Sequence, residues 1–154
     1  MASVQVGDRA PDFTLPSHTG QTVSLAEFRG KQAVVLFFYP KDGTPVCTKE
    51  VCSFRDAYED FVQAGAAVIG VSSNSAESQQ AFASRHRLPF VLLSDPAGSL
   101  RKAFGVPKTL GIMPGRVTYV VDKDGIVRHM FSSQFAADRH VAEALVVVRR
   151  LAEG

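Results

Sequence analysis

Apolar residues along this chain gather in short runs that alternate with stretches of helical spacing. The runs are Ala33 to Tyr39, Ala66 to Val71, Phe90 to Leu93, Val117 to Val121 and Ile126 to Phe131. Runs of this length without polar alternation predict strands covered on both faces, as in a parallel or mixed sheet flanked by helices. Asp122-Lys123-Asp124-Gly125, between the last two runs, carries Asp-Gly turn chemistry and predicts an antiparallel hairpin at the end of the sheet. After the first run, Cys47, Val51, Phe54, Tyr58 and Phe61 recur at spacings of three and four, which predicts one helix that Gly65 stops. Asn74 or Ser75 caps a second helix through His86, and Asp138 a last one through Leu151. Residues 1–30, with Pro11, Pro16, Gly20 and Gly30, predict an irregular arm with short strands. There is no internal repeat, low-complexity segment or linker, so the expectation is a single α/β domain over 1–154.

At 154 residues such a domain buries roughly 70% of the surface its unfolded chain exposes, and no covalent staple is needed for it to fold. A net charge of +2, without a run of five or more Lys or Arg, offers no footprint for nucleic acid or an anionic membrane. The longest apolar run, Ala33 to Tyr39, is far shorter than the ~20 residues that span a bilayer. Met1 to Asp12 lacks an apolar stretch behind basic residues and does not read as a secretory signal. A cytoplasmic location is expected, with the chloroplast as the alternative if a transit peptide has been removed.

The chemistry then rests on two cysteines, Cys47 and Cys52, placed where the first core strand turns into the first long helix. Ligands of open α/β sheets bind beyond the carboxyl ends of strands, and a helix N-terminus offers free N–H groups and positive potential. A thiol there is favoured as thiolate, the nucleophilic form. The competing reading of Cys47 is a small buried hydrophobe, and position alone does not separate the two. Spacing adds a constraint. Five residues along an ideal helix set the two Cα atoms roughly 8.6 Å apart, whereas a disulfide tolerates at most about 7 Å. A helix that starts at or before Cys47 must therefore unwind before the sulfurs join. Cys52 falls outside the apolar stripe, beside Arg55, Asp56 and Glu59, and reads as accessible.

Zinc is not indicated, because His18, His86, His129 and His140 are scattered without Cys/His ligand spacing; surface or helix-packing roles are expected for them. The opening of a calcium loop at Asp122 to Gly125 lacks its closing Glu, and Gly105 to Gly111 lacks the phosphate-loop pattern.

The segment Pro40-Lys41-Asp42-Gly43-Thr44-Pro45-Val46-Cys47 resembles the peroxiredoxin active-site pattern of Pro, three residues, Thr, two residues, Cys. Its continuation, Thr48-Lys49-Glu50-Val51-Cys52-Ser53-Phe54-Arg55-Asp56, is similar to the peroxiredoxin Q branch, also called bacterioferritin comigratory protein, in which a resolving cysteine lies five residues on. Leu88-Pro89-Phe90, Leu93-Ser94-Asp95, Phe104-Gly105-Val106-Pro107 and Pro114-Gly115-Arg116 extend that resemblance over essentially the whole chain. It implies a thioredoxin-like fold with an N-terminal extension. One departure is Val46, where the family usually has Gly; a β-branched residue resists positive φ and stiffens the loop.

The resemblance also implies roles. Cys47 attacks a peroxide, while the Thr44 hydroxyl, the Arg116 guanidinium and the Cys47 backbone N–H hold the substrate where charge develops. Arg116 additionally stabilises the thiolate. Pro40 shapes the loop and shields the thiolate from water. Thr44 is equally readable as a hydroxyl that satisfies helix N-terminal N–H groups, and Glu50 either orients Arg116 or is a solvated first-turn carboxylate. Cys47 becomes a sulfenic acid, Cys52 closes an intramolecular disulfide, and an external dithiol, thioredoxin by family analogy, reopens it. The cycle requires no cofactor, and family members of this branch are commonly monomers. Two rivals stay open at this stage: a thioredoxin-like disulfide reductase, which normally has a Cys-x-x-Cys motif absent here, and a redox-sensing module whose disulfide switches partner binding.

Overall fold

Ala33–Phe38 is apolar at every position and buried at every position, which makes it the central strand of the sheet. The computed structural model describes residues 4–41, 43–106, 108–109, 113–133 and 137–153. Asp42, Pro107 and Gly111, named above, lie outside the described residues. In chain order the elements are β1 (Thr14–Pro16), β2 (Thr22–Ser24), a 3-10 turn (Leu25–Phe28), β3 (Ala33–Phe38), α1 (Pro45–Asp56), α2 (Tyr58–Gln63), β4 (Ala66–Ser72) and α3 (Ala76–His86). There follow β5 (Val91–Ser94), α4 (Ser99–Phe104), β6 (Lys108–Thr109), β7 (Met113–Pro114), β8 (Val117–Val121), β9 (Val127–Ser132) and α5 (Ala137–Glu153).

The main sheet has the order β5-β4-β3-β8-β9. Its first three strands pair in parallel, and β8 and β9 are antiparallel, so the sheet is mixed and the Asp122–Gly125 hairpin forms as expected. Asp122 Oδ1 accepts from the N–H groups of Asp124 and Ile126, and Gly125 supplies the positive φ the turn needs. Alternate residues of β3 feed two cores. Val35, Phe37 and Tyr39 pack against residues of α1, α2, α3 and α5, while Val34, Leu36 and Phe38 pack against α4 and the N-terminal arm. This mixed sheet covered by helices is the arrangement that the resemblance implied.

Two expectations need correction and two details are settled. The single helix through Cys47 to Phe61 is interrupted at Ala57, whose φ of −94° and ψ of 2° leave the helical region; its start at Pro45 lies before Cys47, as the spacing argument allowed. The apolar stripe continues through the break, because Phe54 and Phe61 both remain buried and their rings lie 5.8 Å apart. Of the two caps expected for α3, Ser75 is the one formed, accepting from the Ser78 N–H at 3.1 Å. Asp138 lies inside the first turn of α5.

Gly70 sits where β4 faces α1. A Cβ there would lie 2.8 Å from both Leu92 Cδ2 and Phe37 Cζ, and Phe37 is itself stacked on Phe54 of α1 at 4.3 Å. Neither ring has room to retreat. Gly70→Ala is expected to destabilise by about 1–3 kcal/mol through overpacking, read as a melting midpoint lowered by about 3–10 °C.

Candidate active site

The antiparallel register Phe38↔Val117 decides where the chemistry gathers. It sets the C-terminal end of β3 beside the start of β8, so the loop that follows Tyr39 and the residue that precedes Val117 meet. Cys47 occupies the first turn of α1 and is 1% exposed, and Arg116 is 3% exposed. Arg116 Nη2 donates to Cys47 Sγ at 3.1 Å, and Nη1 donates to Glu50 Oε1 at 2.6 Å. One planar cation therefore bridges a sulfur and a carboxylate, a fork geometry that only a guanidinium offers. Burial pulls Arg116 down, yet Glu50 and Cys47 lift it above its ordinary value.

Glu50 is fully buried rather than solvated. Burial raises its pKa from 4.5 to about 7, against the pull of the Arg116 cation. Its second oxygen, Oε2, faces His140 Nδ1 at 3.5 Å. His140 is buried too, which fits the helix-packing half of the expectation for histidines. Its Nε2–H donates to the Ser133 carbonyl at 2.8 Å, which leaves Nδ1 to accept from the Thr118 hydroxyl at 2.7 Å. Burial lowers its pKa to about 4, so the ring is neutral at physiological pH. The Ser133 N–H donates to the Arg116 carbonyl, so hydrogen bonds run from His140 through Ser133 and Arg116 to Glu50 Oε1, while Oε2 only faces the ring.

Thr44 is the residue before α1, but its hydroxyl makes no capping bond and donates instead to the Lys41 carbonyl at 3.0 Å. That commits the hydroxyl hydrogen to Lys41 and leaves Oγ1 with acceptor capacity only. The Cys47 N–H lies in the first turn, where helix geometry provides no intrahelical acceptor. Pro40 is half-buried directly after Tyr39. Val46 is helical, as the second residue of α1, so its β-branch meets no left-handed demand.

Sequence reasoning missed a second cation. Arg101 Nη1 donates to the Gly115 carbonyl at 2.7 Å and Nη2 to the Tyr39 carbonyl at 3.1 Å, tying together the backbones that precede Arg116 and Pro40. Its helix, α4, starts on the buried Asp95 carboxylate, which accepts from the N–H groups of Leu100 and Arg101. Six residues are too few for a periodic signal, and the only local clue was an Asp shortly before an apolar pair. Cys52 is half-buried rather than accessible, with Sγ 3.7 Å from His86 Nδ1. Both thiols are free, and both lie within an intact α1.

The Glu50 carboxyl has a consequence for pH. In the folded chain it holds its proton up to about pH 7 and in the unfolded chain only to about 4.5. The stability this contributes is present at low pH and is lost as pH rises through that window. His140 works in the opposite sense, because its proton is lost on folding and its cost grows as pH falls from 6.5 toward 4. Stability of wild type minus that of Glu50→Gln is therefore expected to decline as pH climbs from 4.5 to 7, by an amount on the order of 2 kcal/mol. Denaturant titrations at several pH values measure it, and a flat difference rules out a buried proton on Glu50.

Residues 6–130 match the AhpC/TSA family. Chloroplastic peroxiredoxin Q of Triticum aestivum is 50% identical over 149 residues, covering 96% of this chain and 68% of the relative. A peroxidoxin of Mycobacterium tuberculosis superposes with a TM-score of 0.88 at 40% identity, covering 96% of this chain and 97% of the other. The bacterioferritin comigratory protein of Xanthomonas campestris, described for its alkyl peroxide reduction activity, superposes with a TM-score of 0.85 at 27% identity and covers 99% of both chains. The sulfur and guanidinium thus meet on a fold that peroxidases share, and the chain belongs to the AhpC/TSA family, in its peroxiredoxin Q branch, as a thiol-dependent peroxidase.

Proposed function

We propose that Cys47 is the peroxidatic residue, reducing hydrogen peroxide and organic hydroperoxides, and that Cys52 resolves the product as an intramolecular disulfide which thioredoxin reopens. The observation that carries this reading is the 3.1 Å contact from the Arg116 guanidinium to a buried Cys47 sulfur at the start of a helix. The cation and the helix N-terminus together favour the thiolate. Peroxide docks with one oxygen facing Sγ, its hydrogen accepted by Thr44 Oγ1, while Arg116 and the Cys47 N–H stabilise charge on the departing oxygen. The thiolate takes one oxygen to become sulfenic acid, the O–O bond breaks, and the alkoxide or hydroxide leaves with a proton from water. Pro40 limits water at the sulfur, and Arg101 holds the two loops in register. Alkyl peroxide reduction by the Xanthomonas campestris protein supports the inclusion of organic substrates.

The second half of the cycle needs α1 to open, since both cysteines lie in one continuous helix about 8.6 Å apart by ideal geometry, beyond disulfide reach. A single domain over 1–154, acting as a monomer without a bound cofactor, carries all of these steps. No described helix is long and apolar enough to cross a membrane. A soluble compartment that supplies thioredoxin fits the reading: the cytoplasm, or the chloroplast that the plant relatives' names specify.

Peroxide-dependent oxidation of thioredoxin tests the proposal. Wild type should turn over repeatedly, and Cys52→Ser should consume one equivalent of peroxide per chain and then stop. Unimpaired turnover with thioredoxin in that variant excludes Cys52 as the resolver. Reduction of insulin by the wild type without peroxide consumption selects the disulfide-reductase reading instead.

A further inference from the structure

His86 closes α3 beside Cys52, and nothing in the chemistry so far uses it. Three contacts fix its position. Its ring packs edge-on to Phe82 with centroids 4.7 Å apart, its carbonyl accepts from Arg55 Nη1 at 2.8 Å, and its Nδ1 lies 3.7 Å from Cys52 Sγ. An S–H group donating along that line makes Nδ1 the acceptor and leaves the ring's other nitrogen as the N–H. We propose that His86 is the catalytic base of the resolving step, taking the Cys52 proton as that sulfur attacks the oxidised Cys47. This rests on the reading of Cys52 as resolver.

For His86 to act, it must still face Cys52 after α1 opens, and burial decides which part of the helix moves. Beyond Cys52, Phe54 is fully buried and stacked on Phe37, and Arg55 ties the same stretch to the end of α3. Val51, just before Cys52, is buried as well. Ahead of it, Pro45 and Lys49 are exposed, and Thr44, Val46 and Thr48 are only half-buried. Opening the first turn therefore costs less apolar burial than opening the second. Cys47 swings out on that first turn, while Cys52 stays docked against the imidazole.

The step balances without an added reductant. His86 Nδ1 accepts the thiol proton, and the Cys52 thiolate attacks Cys47 Sγ. The S–S bond forms as the S–O bond of the sulfenic acid breaks, and the leaving hydroxide takes a proton, from His86 or from solvent, to become water. The charged residues that flank the pair along the chain are Lys49, Arg55, Asp56 and Glu59 on the α1–α2 side and Arg85 and Arg87 on either side of His86; of these, Arg55 is tied to the His86 carbonyl and also pairs with Asp56.

The test is a rapid-quench experiment on the full chain, with one equivalent of hydrogen peroxide and then with excess. Intact mass separates the disulfide from dimedone-trapped sulfenic acid and from sulfinic acid. His86→Asn keeps an amide near the Nδ1 position but accepts no proton; His86→Ala leaves space for added imidazole. Both variants are expected to close the disulfide about 10-fold or more slowly at pH 7, with sulfinic acid rising at the disulfide's expense in excess peroxide. That partition does not depend on the speed of the first oxidation. The closure rate of the variants should climb with pH more steeply than that of wild type, and imidazole should restore His86→Ala in proportion to its neutral form. Equal closure rates and pH profiles in wild type and His86→Asn overturn the proposal. Absence of any intramolecular disulfide in oxidised wild type removes Cys52 as resolver and the role of His86 with it.

Discussion

Cys47→Ser is expected to reduce peroxide-dependent thioredoxin oxidation to the protein-free background. The serine hydroxyl fits the space and keeps a partner in Arg116, so the fold should survive; what disappears is the proposed nucleophile. An alcohol remains protonated at neutral pH even beside one guanidinium, and its oxygen has no sulfenic-acid state through which to accept an oxygen atom. Cys52 does not substitute, because it lies against His86 rather than against Arg116. A peroxide electrode and a coupled thioredoxin assay read the result together. Residual turnover above a few per cent of wild type would place the chemistry on a different sulfur.

Arg116→Lys is expected to lower the second-order rate constant for peroxide by about 10²–10³, the usual cost of removing one preorganised donor to a developing negative charge. The loss follows from shape rather than charge. Arg116 reaches Glu50 Oε1 with one nitrogen and Cys47 Sγ with the other, at 2.6 and 3.1 Å. A single ammonium meets one of these partners and leaves the other without its donor in a buried, low-dielectric site. Arg116→Ala adds a stability defect of roughly 3–5 kcal/mol, because the Glu50 carboxyl loses its buried partner. Competition kinetics against a reference peroxidase measure the rate, and a drop of less than tenfold in the Lys variant means that positive charge alone suffices. The same comparison separates the ion pair from the hydrogen-bond fork, since Lys keeps the charge and discards the fork.

These effects depend on contacts that differ in how visible they were along the chain. The core strands were legible within a residue or two, since unbroken apolar runs such as Ala33 to Tyr39 report burial on both faces directly. The Asp122–Gly125 turn was legible for the same local reason, because a short polar side chain and a glycine satisfy the turn from within it. Ala57 was not legible as a break, since alanine is the best helix former and only packing of the two halves imposes its backbone angles.

The two cysteines, their five-residue spacing and the Pro40–Thr44–Cys47 loop were determined by sequence alone, because each is a short-range fact about neighbouring residues. So was the conflict between helix and disulfide. The family resemblance pointed to Arg116 beside Cys47, but only the tertiary structure decided the contacts: Glu50 and Arg116 are 66 residues apart, Arg116 and Cys47 69, and Cys52 and His86 34. Their meeting depends on strand register and helix packing, to which no local pattern is sensitive. Residue types with two lives, a glutamate that is either solvated or buried and a histidine that is either on the surface or neutral in a core, acquire their roles only when the folded chain sets their dielectric surroundings and their partners.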